Sequence, residues 1–364
     1  MPHEYFGDPV FAGKTVFITG HSGFIGAWLC TVLAHQGATV VGYSVSDDPD
    51  TRAREEWLGE LGITQLRGDV RDSAAMWGAM RLMEPDITFH LAAQALLCRG
   101  FDEPHATFDV NLNGSLNVLE AARMGLTGAL VHVTSDKCYV PMEDAAQVLT
   151  ETSPLGGHTP YPSSKAIAEM LFAEFARMTR FDGAANRLVS VRLGNVIGGG
   201  DWADRLVPNC LRAFQEGREF SLRDPAAVRP YQHVLDVVAG LVLLGERLLG
   251  AEAELVDALN FAPPTLGHAC SEMVEELARA WGPDARLGVE CEASAFPEDK
   301  FLVLDGSRAA AMLGWRHRFG LAQSADRIVE WVRMVEAGAT PAEATHRQVV
   351  DYYAARVATK AEAA

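Results

Sequence analysis

Tyr161 and Lys165 stand four positions apart in the stretch TPYPSSKA, residues 159–166. On a helix, positions i and i+4 share a face, so the phenol and the ammonium would stand side by side. A cation beside a phenol lowers its pKa from a reference of about 10 and makes it a proton-transfer group. By itself the spacing also fits a surface turn with a charged tail. Its weight therefore depends on the company it keeps. About two dozen residues upstream, VTSDKCY offers two hydroxyls (Thr134, Ser135), a carboxyl (Asp136) and a second ammonium (Lys137) in direct succession.

Those side chains need a scaffold, and the N-terminal third predicts one. In KTVFITGHSGFIGAWLCTVLAHQGATVVGYS, an apolar run at 14–19 reads as a strand. Apolar residues at helical spacing follow from Phe24 to Gln36, and 39–43 reads as a second strand. Gly20, Gly23 and Gly26 lie between the first strand and the helix. In such a turn the first glycine allows the tight bend, the second lets a pyrophosphate approach the backbone, and the third lets helix and strand pack closely. The helix N-terminus adds free N–H groups and partial positive charge. Strand-like runs recur at 86–91, 128–133 and 188–193, with helical stretches at 73–83, 106–124 and 162–180. The alternation predicts a Rossmann-type, doubly wound parallel α/β sheet with ligands at the carboxyl ends of its strands.

Cofactor contacts are expected from Gly20, Gly23, Phe24, Ile25 and Gly26 in the first turn, and from Ser44 ending the second strand. Asp69 and Val70 follow a short third strand, where the carboxylate could accept the adenine amino group. Ala92, Ala93 and Gln94 follow the fourth, and the alanines leave room for the cofactor. Tyr161 and Lys165 would close the same cleft, the lysine holding the nicotinamide ribose. A carboxylate at the end of the second strand would select NAD. Here Ser44 comes first, with Asp47 and Asp48 beyond it, and Arg52 and Arg54 lie well past the turn.

Composition narrows the classes. The 364 residues are 48% hydrophobic and carry a formal charge of −17, which disfavours a nucleic-acid partner. No apolar run is long enough to span a bilayer, and MPHEYFGDPVFAGK lacks the pattern of an export signal. The six cysteines are scattered without a CxxC pair, which predicts reduced thiols and a cytoplasmic setting. No cluster has metal-ligand spacing, so no metal is expected.

Longer stretches carry a resemblance: GKTVFITGHSGFIGAWL, HLAAQ, TSDKCY, PYPSSKA, VRLGNVIGGGDWADRLVPN, RPYQHVLD and LDGSRAAAMLGW. Together they resemble the extended short-chain dehydrogenase/reductases, and within them the nucleotide-sugar 4,6-dehydratases that act on CDP-D-glucose. The chain departs from that branch before the tyrosine, in VPMEDAAQVLTETSPLGGHT, and in FPEDKFLVLD, where relatives have a His-Glu-Ala stretch. The resemblance implies NAD as cofactor and a smaller C-terminal α/β substrate domain. It also implies that Tyr161 takes the proton of the sugar C4 hydroxyl while Ser135 or Thr134 holds that oxygen. Asp136 would protonate the departing C6 hydroxyl, staying protonated in a partly desolvated cleft. Lys137 would take the C5 proton, which requires a neutral amine, depressed by burial beside Lys165 and the nicotinamide cation.

For the diphosphate and sugar, the candidates are Asn195, Arg205, Arg223 and Arg229. Arg192, inside a strand, ranks behind them. His233 is either a ligand or a capping and packing residue, and GGGDW (198–202) reads as a flexible loop. The dinucleotide-binding domain is expected over 1–194 with a return at 230–262, the nucleotide-sugar domain over 195–229 and 263–350, and a frayed tail over 351–364. Apolar stripes on 106–124 and 162–180 predict a homodimer through a four-helix bundle. A nucleotide-sugar epimerase and a dehydratase for another nucleotide stay open as alternatives. So does a nucleotide-binding regulator without turnover, which the intact Ser135, Asp136, Tyr161 and Lys165 oppose.

Overall fold

The computed structural model describes residues 10–45, 48–141, 147–181, 187–250, 257–288 and 299–362, without the side chains beyond 354. Asp47 and Cys291 lie outside the described residues, as do parts of both divergent stretches. In chain order the first half runs β1 (Thr15–Thr19), α1 (Phe24–His35), β2 (Thr39–Ser44), α2 (Pro49–Glu60), β3 (Thr64–Arg67), α3 (Ser73–Met83) and β4 (Ile87–His90). Next come α4 (Leu97–Asp102), α5 (Pro104–Phe108), α6 (Gly114–Arg123), β5 (Leu130–Ser135), α7 (Pro160–Phe181) and β6 (Leu188–Leu193). The remainder comprises β7 (Val196–Ile197), α8 (Leu206–Gln215), β8 (Val228–Arg229), β9 (Gln232–His233), α9 (Val234–Leu249), β10 (Ala258–Phe261), β11 (His268–Ala269) and α10 to α13. These last four helices span Cys270–Trp281, Ser307–Leu313, Leu321–Glu336 and Pro341–Glu362.

Seven strands form one sheet in the order β10-β6-β5-β4-β1-β2-β3. Each neighbouring pair is parallel. The order reverses after β1, so β1 and β4 splay their carboxyl ends apart at the point where such sheets bind ligands. Strand interiors are apolar on both faces because helices cover both: Phe17, Val41 and Leu130 pack towards α3, α6 and α7, while Val16, Ile18 and Val131 face α1 and α9. β5 begins two residues later than the apolar run predicts, so Thr134 and Ser135 end the strand itself.

Three expectations need correction. The helix expected over 106–124 is two helices joined by a π-helical turn at Asp109–Asn113, which 3.6-residue periodicity does not register. GGGDW is not a loose loop. Gly198, Gly199 and Gly200 are buried, Trp28 Nε1 donates to the Gly199 carbonyl at 2.9 Å, and a Cβ on Gly199 would sit 2.2 Å from the Trp331 ring. The tail does not begin at 351: α13 runs through that point, and Tyr352 and Tyr353 are buried in the core shared with Trp28, Trp57 and Trp331. A further apolar cluster, including Phe214, Tyr231, Trp281 and Ile328, is contributed by α8, α10, α12 and the segment around β9.

Candidate active site

At the mouth of β1 the chain is shaped by what cannot fit there. Gly20 has φ +74, and a Cβ on it would lie 2.6 Å from the Ala92 amide nitrogen. A Cβ on Gly26 would meet the Gly20 carbonyl at 2.2 Å, so α1 packs against the turn only because position 26 is bare. Gly23 caps α1 without a side-chain acceptor, which leaves the first N–H groups of Phe24, Ile25 and Gly26 aimed at the cleft. Ser44 ends β2 and bonds His21 Nδ1 at 2.8 Å.

Asp69 and Val70 follow β3, as expected. The Asp69 carboxylate is gripped by Arg71, whose Nη2 lies 2.6 Å from Oδ2 and whose Nη1 reaches Asp109 at 2.9 Å. Hydrogen bonding from Arg71 holds Asp69 below its ordinary carboxylate value. Arg54 is buried and donates to the Gly200 and Ser22 carbonyls, tying the 198–202 loop to the glycine turn. Three of its five N–H donors are spent inside the protein in this way.

Ala92, Ala93 and Gln94 leave the end of β4. Gln94 exchanges two hydrogen bonds with buried Asn111, its N–H donating to Asn111 Oδ1 at 2.9 Å and its carbonyl accepting from Nδ2 at 3.0 Å. Asn111 Nδ2 also donates to Ser164 Oγ at 2.9 Å, and Ser164 donates to the Tyr161 carbonyl at 2.7 Å. The π-helical turn thus anchors the head of α7. Sequence inspection singled out neither residue, and a π-turn leaves no periodic trace. Ser164, one of the two serines inside PYPSSKA, was the available signal.

Tyr161 and Lys165 lie on the first two turns of α7, both buried. Burial raises the Tyr161 phenol above its usual value, opposed by a hydrogen bond with Ser135 and by the charge of Arg205. The leading cation acting on it is therefore Arg205, not Lys165 as expected. Burial lowers Lys165 to about 8, and Glu169 opposes the shift.

The end of β5 turns into one 3₁₀ turn, Asp136–Cys138, capped by Ser135 Oγ, which accepts from the Lys137 N–H at 3.2 Å. Ser135 Oγ donates to Asp136 Oδ1 at 2.8 Å, while Asp136 Oδ2 is buried with no partner among the described residues. Burial raises the Asp136 carboxyl, against the pull of Lys137, Ser135 and Arg229, and nearby Asp299 adds to the rise. Lys137 is held by an ion pair: its Nζ lies 2.6 Å from Asp299 Oδ2, with both side chains mostly buried. Asp299 sits in the divergent FPEDKFLVLD stretch and was not foreseen.

Thr134 is turned away from the cleft. Its hydroxyl donates to Glu169, which also accepts from Ser190 and holds Arg192 through Nε at 2.7 Å and Nη2 at 2.6 Å. Arg192 continues to Tyr139 Oη at 2.8 Å. Thr134 and Arg192 thus belong to a buried network beneath the site, because β5 and β6 register Thr134 opposite Arg192.

Of the other polar candidates, Arg205 caps the start of α8 with its Nη1 3.7 Å from Asp201 Oδ2, and Arg229 is buried close enough to act on Asp136. Asn195 offers its carbonyl to the Gln232 N–H at 2.9 Å. Arg223 is exposed ahead of β8. His233 is no ligand: it is wholly buried between Trp28 and Phe319, its Nδ1 accepts from the Leu235 N–H, and burial lowers it to about 3.

A family model described as the NAD dependent epimerase/dehydratase family matches residues 16–254. The chain belongs to this family. The match contains the glycine turn, the end of β5 and the Tyr161 helix. A CDP-glucose 4,6-dehydratase of Salmonella typhimurium is 36% identical, across 94% of this chain and 97% of that protein. Among solved structures, a UDP-glucose 4-epimerase of Thermus thermophilus in complex with NAD has a TM-score of 0.75 at 25% identity, across 88% of this chain and 99% of that one. A dTDP-glucose 4,6-dehydratase of Streptomyces venezuelae with NAD bound has a TM-score of 0.74 at 24% identity, across 90% and 99%, a likeness of fold.

As an NAD dependent epimerase/dehydratase, the protein should hold a dinucleotide, and its residues fit one. The tight turn at Gly20, the close packing at Gly26 and the uncapped start of α1 at Gly23 present main-chain N–H groups at the mouth of β1 with no side chain over them. Among the described residues no three His, Cys, Asp or Glu side chains converge as a metal site, and no helix is long and apolar enough to cross a membrane.

Proposed function

We propose that the protein dehydrates a nucleotide-hexose to its 4-keto-6-deoxy form, with CDP-D-glucose as substrate. Asp136 carries the dehydratase reading: a buried carboxyl, raised by that burial, with one oxygen that has no partner among the described residues, beside Ser135. Epimerisation at C4 needs no acid for a C6 hydroxyl. The nucleotide rests on the 36% identical CDP-glucose 4,6-dehydratase of Salmonella typhimurium.

Bound NAD supplies the hydride acceptor for C4 and returns the hydride at C6. The protein's own groups move the protons. Tyr161 takes the proton of the C4 hydroxyl as the phenolate, which the charge of Arg205 and of bound NAD would favour against the burial that raises it. Ser135 orients the C4 oxygen, and Lys165 holds the nicotinamide ribose. The C4 ketone acidifies the C5 hydrogen. Asp136 delivers its proton to the departing C6 hydroxyl, so that water leaves. Lys137 accepts the C5 proton only after passing its own proton to Asp299, the carboxylate 2.6 Å away. Arg205 and Arg229 bring positive charge to the diphosphate, and Arg223 and Asn195 are further candidates for the nucleotide.

The same reading assigns 1–194 with 230–262 to the dinucleotide and 195–229 with 263–350 to the nucleotide-sugar. It pairs two copies through α6 and α7, which expose Leu116, Ile167, Met170, Met178 and Phe181. Purified protein incubated with CDP-, dTDP-, UDP- and GDP-glucose tests the activity by the alkaline absorbance of the 4-keto-6-deoxy product. Product from CDP-glucose alone supports the reading. Inversion of a hydroxyl without dehydration would establish the epimerase alternative, which the Thermus thermophilus likeness favours.

A further inference from the structure

A buried arginine is costly unless its donors are satisfied. Arg54, on α2, is buried, and no step of the sugar chemistry uses it. Burial lowers it, while the charges of Asp201, Asp50 and Asp48 favour the guanidinium. Its partners lie on two segments far apart in the chain. Nε and Nη2 donate to the Gly200 carbonyl at 3.2 and 3.1 Å, and Nη1 donates to the Ser22 carbonyl at 3.3 Å. The guanidinium also lies over the Trp202 ring, 4.7 Å from its centroid.

Both carbonyls belong to segments with work to do. Ser22 immediately precedes Gly23, where α1 presents its first N–H groups. Gly200, at φ +75, leads into the turn that carries Asp201 and Arg205. The Asp201 side chain is almost wholly buried, and its Oδ1 accepts from the Ala203 N–H at 3.3 Å. The Arg205 N–H donates to the Ala203 carbonyl at 2.8 Å, and Arg205 Nη1 lies 3.7 Å from Asp201 Oδ2. The Arg205 side chain is 38% exposed, so its aim depends on the carboxylate beside it. Burial raises Asp201, and the charges of Arg205 and Arg54 oppose the rise. Asp201 thus stands between two cations: Arg54, bonded to the glycine turn, and Arg205, whose charge acts on the Tyr161 phenol.

We propose that Arg54 is a positioning residue: by bridging the Ser22 and Gly200 carbonyls it ties the 198–205 segment to the glycine turn, so that a bound dinucleotide steadies Arg205 beside Tyr161. A dinucleotide that orders the glycine turn fixes the Ser22 carbonyl. The bridge passes that order to Gly200, Asp201 and Arg205. A lysine would keep the charge, but its single ammonium lacks the fork that spans both carbonyls. The last step, at Tyr161, rests on the function proposed above, whereas the tie between turn and loop does not.

Hydrogen exchange of the full chain, with and without saturating NAD, tests the tie without turnover. In the native protein NAD should slow exchange of the 199–205 amides by about tenfold, the size of one or two hydrogen bonds. In Arg54→Met and in Arg54→Lys that slowing should vanish. Arg54→Lys keeps a cation in place and is the deciding variant if Arg54→Met does not fold. Equal exchange with and without NAD in the native protein would overturn the proposal. Slowing that persists in the Arg54 variants would show that NAD shields the loop directly, and would overturn it too. Rapid mixing with nucleotide-glucose then tests the step at Tyr161, through the rate at which reduced cofactor forms. Arg54→Met and Arg205→Met should each slow it by roughly tenfold, and the double variant should be no slower than Arg205→Met alone. Losses that multiply would overturn the action through Arg205. No reduced cofactor from any of the four nucleotide-glucoses would instead sink the proposed function, and the exchange result would still decide the tie.

Discussion

The two halves of the cleft are built in opposite ways. The dinucleotide end is made of backbone: three glycines within seven residues, an uncapped helix start and small side chains where the chain approaches closely. The end we assign to the sugar is made of side chains drawn from distant segments: Ser135 to Lys137 after β5, Tyr161 and Lys165 on α7, Arg205 at α8, Arg229 on β8 and Asp299 beyond α10. A backbone cradle works by leaving space and fails when space is filled. A side-chain constellation works by pairing charges and fails when a partner is lost.

Filling the cradle should have the largest effect. In Gly23→Val the new Cβ meets only the Gly20 carbonyl, at 3.1 Å, and φ at this position suits any residue. The fold should survive, with at most a small drop in melting temperature as the Gly20 carbonyl gives way, while NAD binding is lost. Unchanged NAD affinity by calorimetry would break the contrast between the two ends.

At the sugar end, Tyr161→Phe keeps the ring and removes the proton acceptor. Turnover should fall by roughly 10²–10⁴-fold with nucleotide affinity preserved. Near-native turnover would remove Tyr161 from proton transfer.

Asp136→Asn leaves Tyr161 and Lys165 in place, so C4 oxidation should proceed and reduced cofactor should accumulate, seen by its absorbance after rapid mixing with CDP-glucose. Release of finished product at the native rate would show that Asp136 is not the acid. Asp299→Asn sharpens the same point, because it removes the carboxylate to which Lys137 would pass its proton. Deuterium uptake at C5 should then be slower than in the native enzyme. An unchanged rate of uptake would uncouple Asp299 from Lys137.

The smallest effect concerns stability. Burial lowers His132 and His233 to about 3 and His317 to about 4. The unfolded chain therefore binds more protons than the folded one at acid pH, and stability present above the ordinary histidine value is lost as pH falls through it. Asp236, raised to about 6 by burial, works in the opposite direction but over a narrower span than any of the three. Denaturant titrations between neutral pH and pH ~4.5 should show a net loss on the order of 3 kcal/mol. A flat or rising profile would contradict the buried, neutral state of these histidines.

How far these features were legible depends on the distance over which each is specified. Six of the seven parallel strands and the glycine turn were visible because apolar runs and bare positions act over a few residues, while the short edge strand β10 was not. Tyr161 and Lys165 were visible as one face of a helix through their four-residue spacing, and Ser135 and Asp136 through their order at the end of a strand. Thr134 was misjudged because its rotation depends on Glu169, which reaches it from another element. Lys137 was misjudged because its partner lies 162 residues away. His233 and the 198–202 loop look polar or loose in sequence, and only the tryptophans packed on them reveal a core.

The sequence by itself determined the alternation of strands and helices, the cradle for the dinucleotide and the order of the catalytic side chains. Each of these follows from periodicity or from the absence of a Cβ, which a linear chain already contains. Only the tertiary structure decided which charges meet, which groups lose water and which way a proton points. Ion pairing, desolvation and hydrogen-bond polarity depend on distances between residues far apart in the chain, and those distances come into being when the sheet closes under its helices.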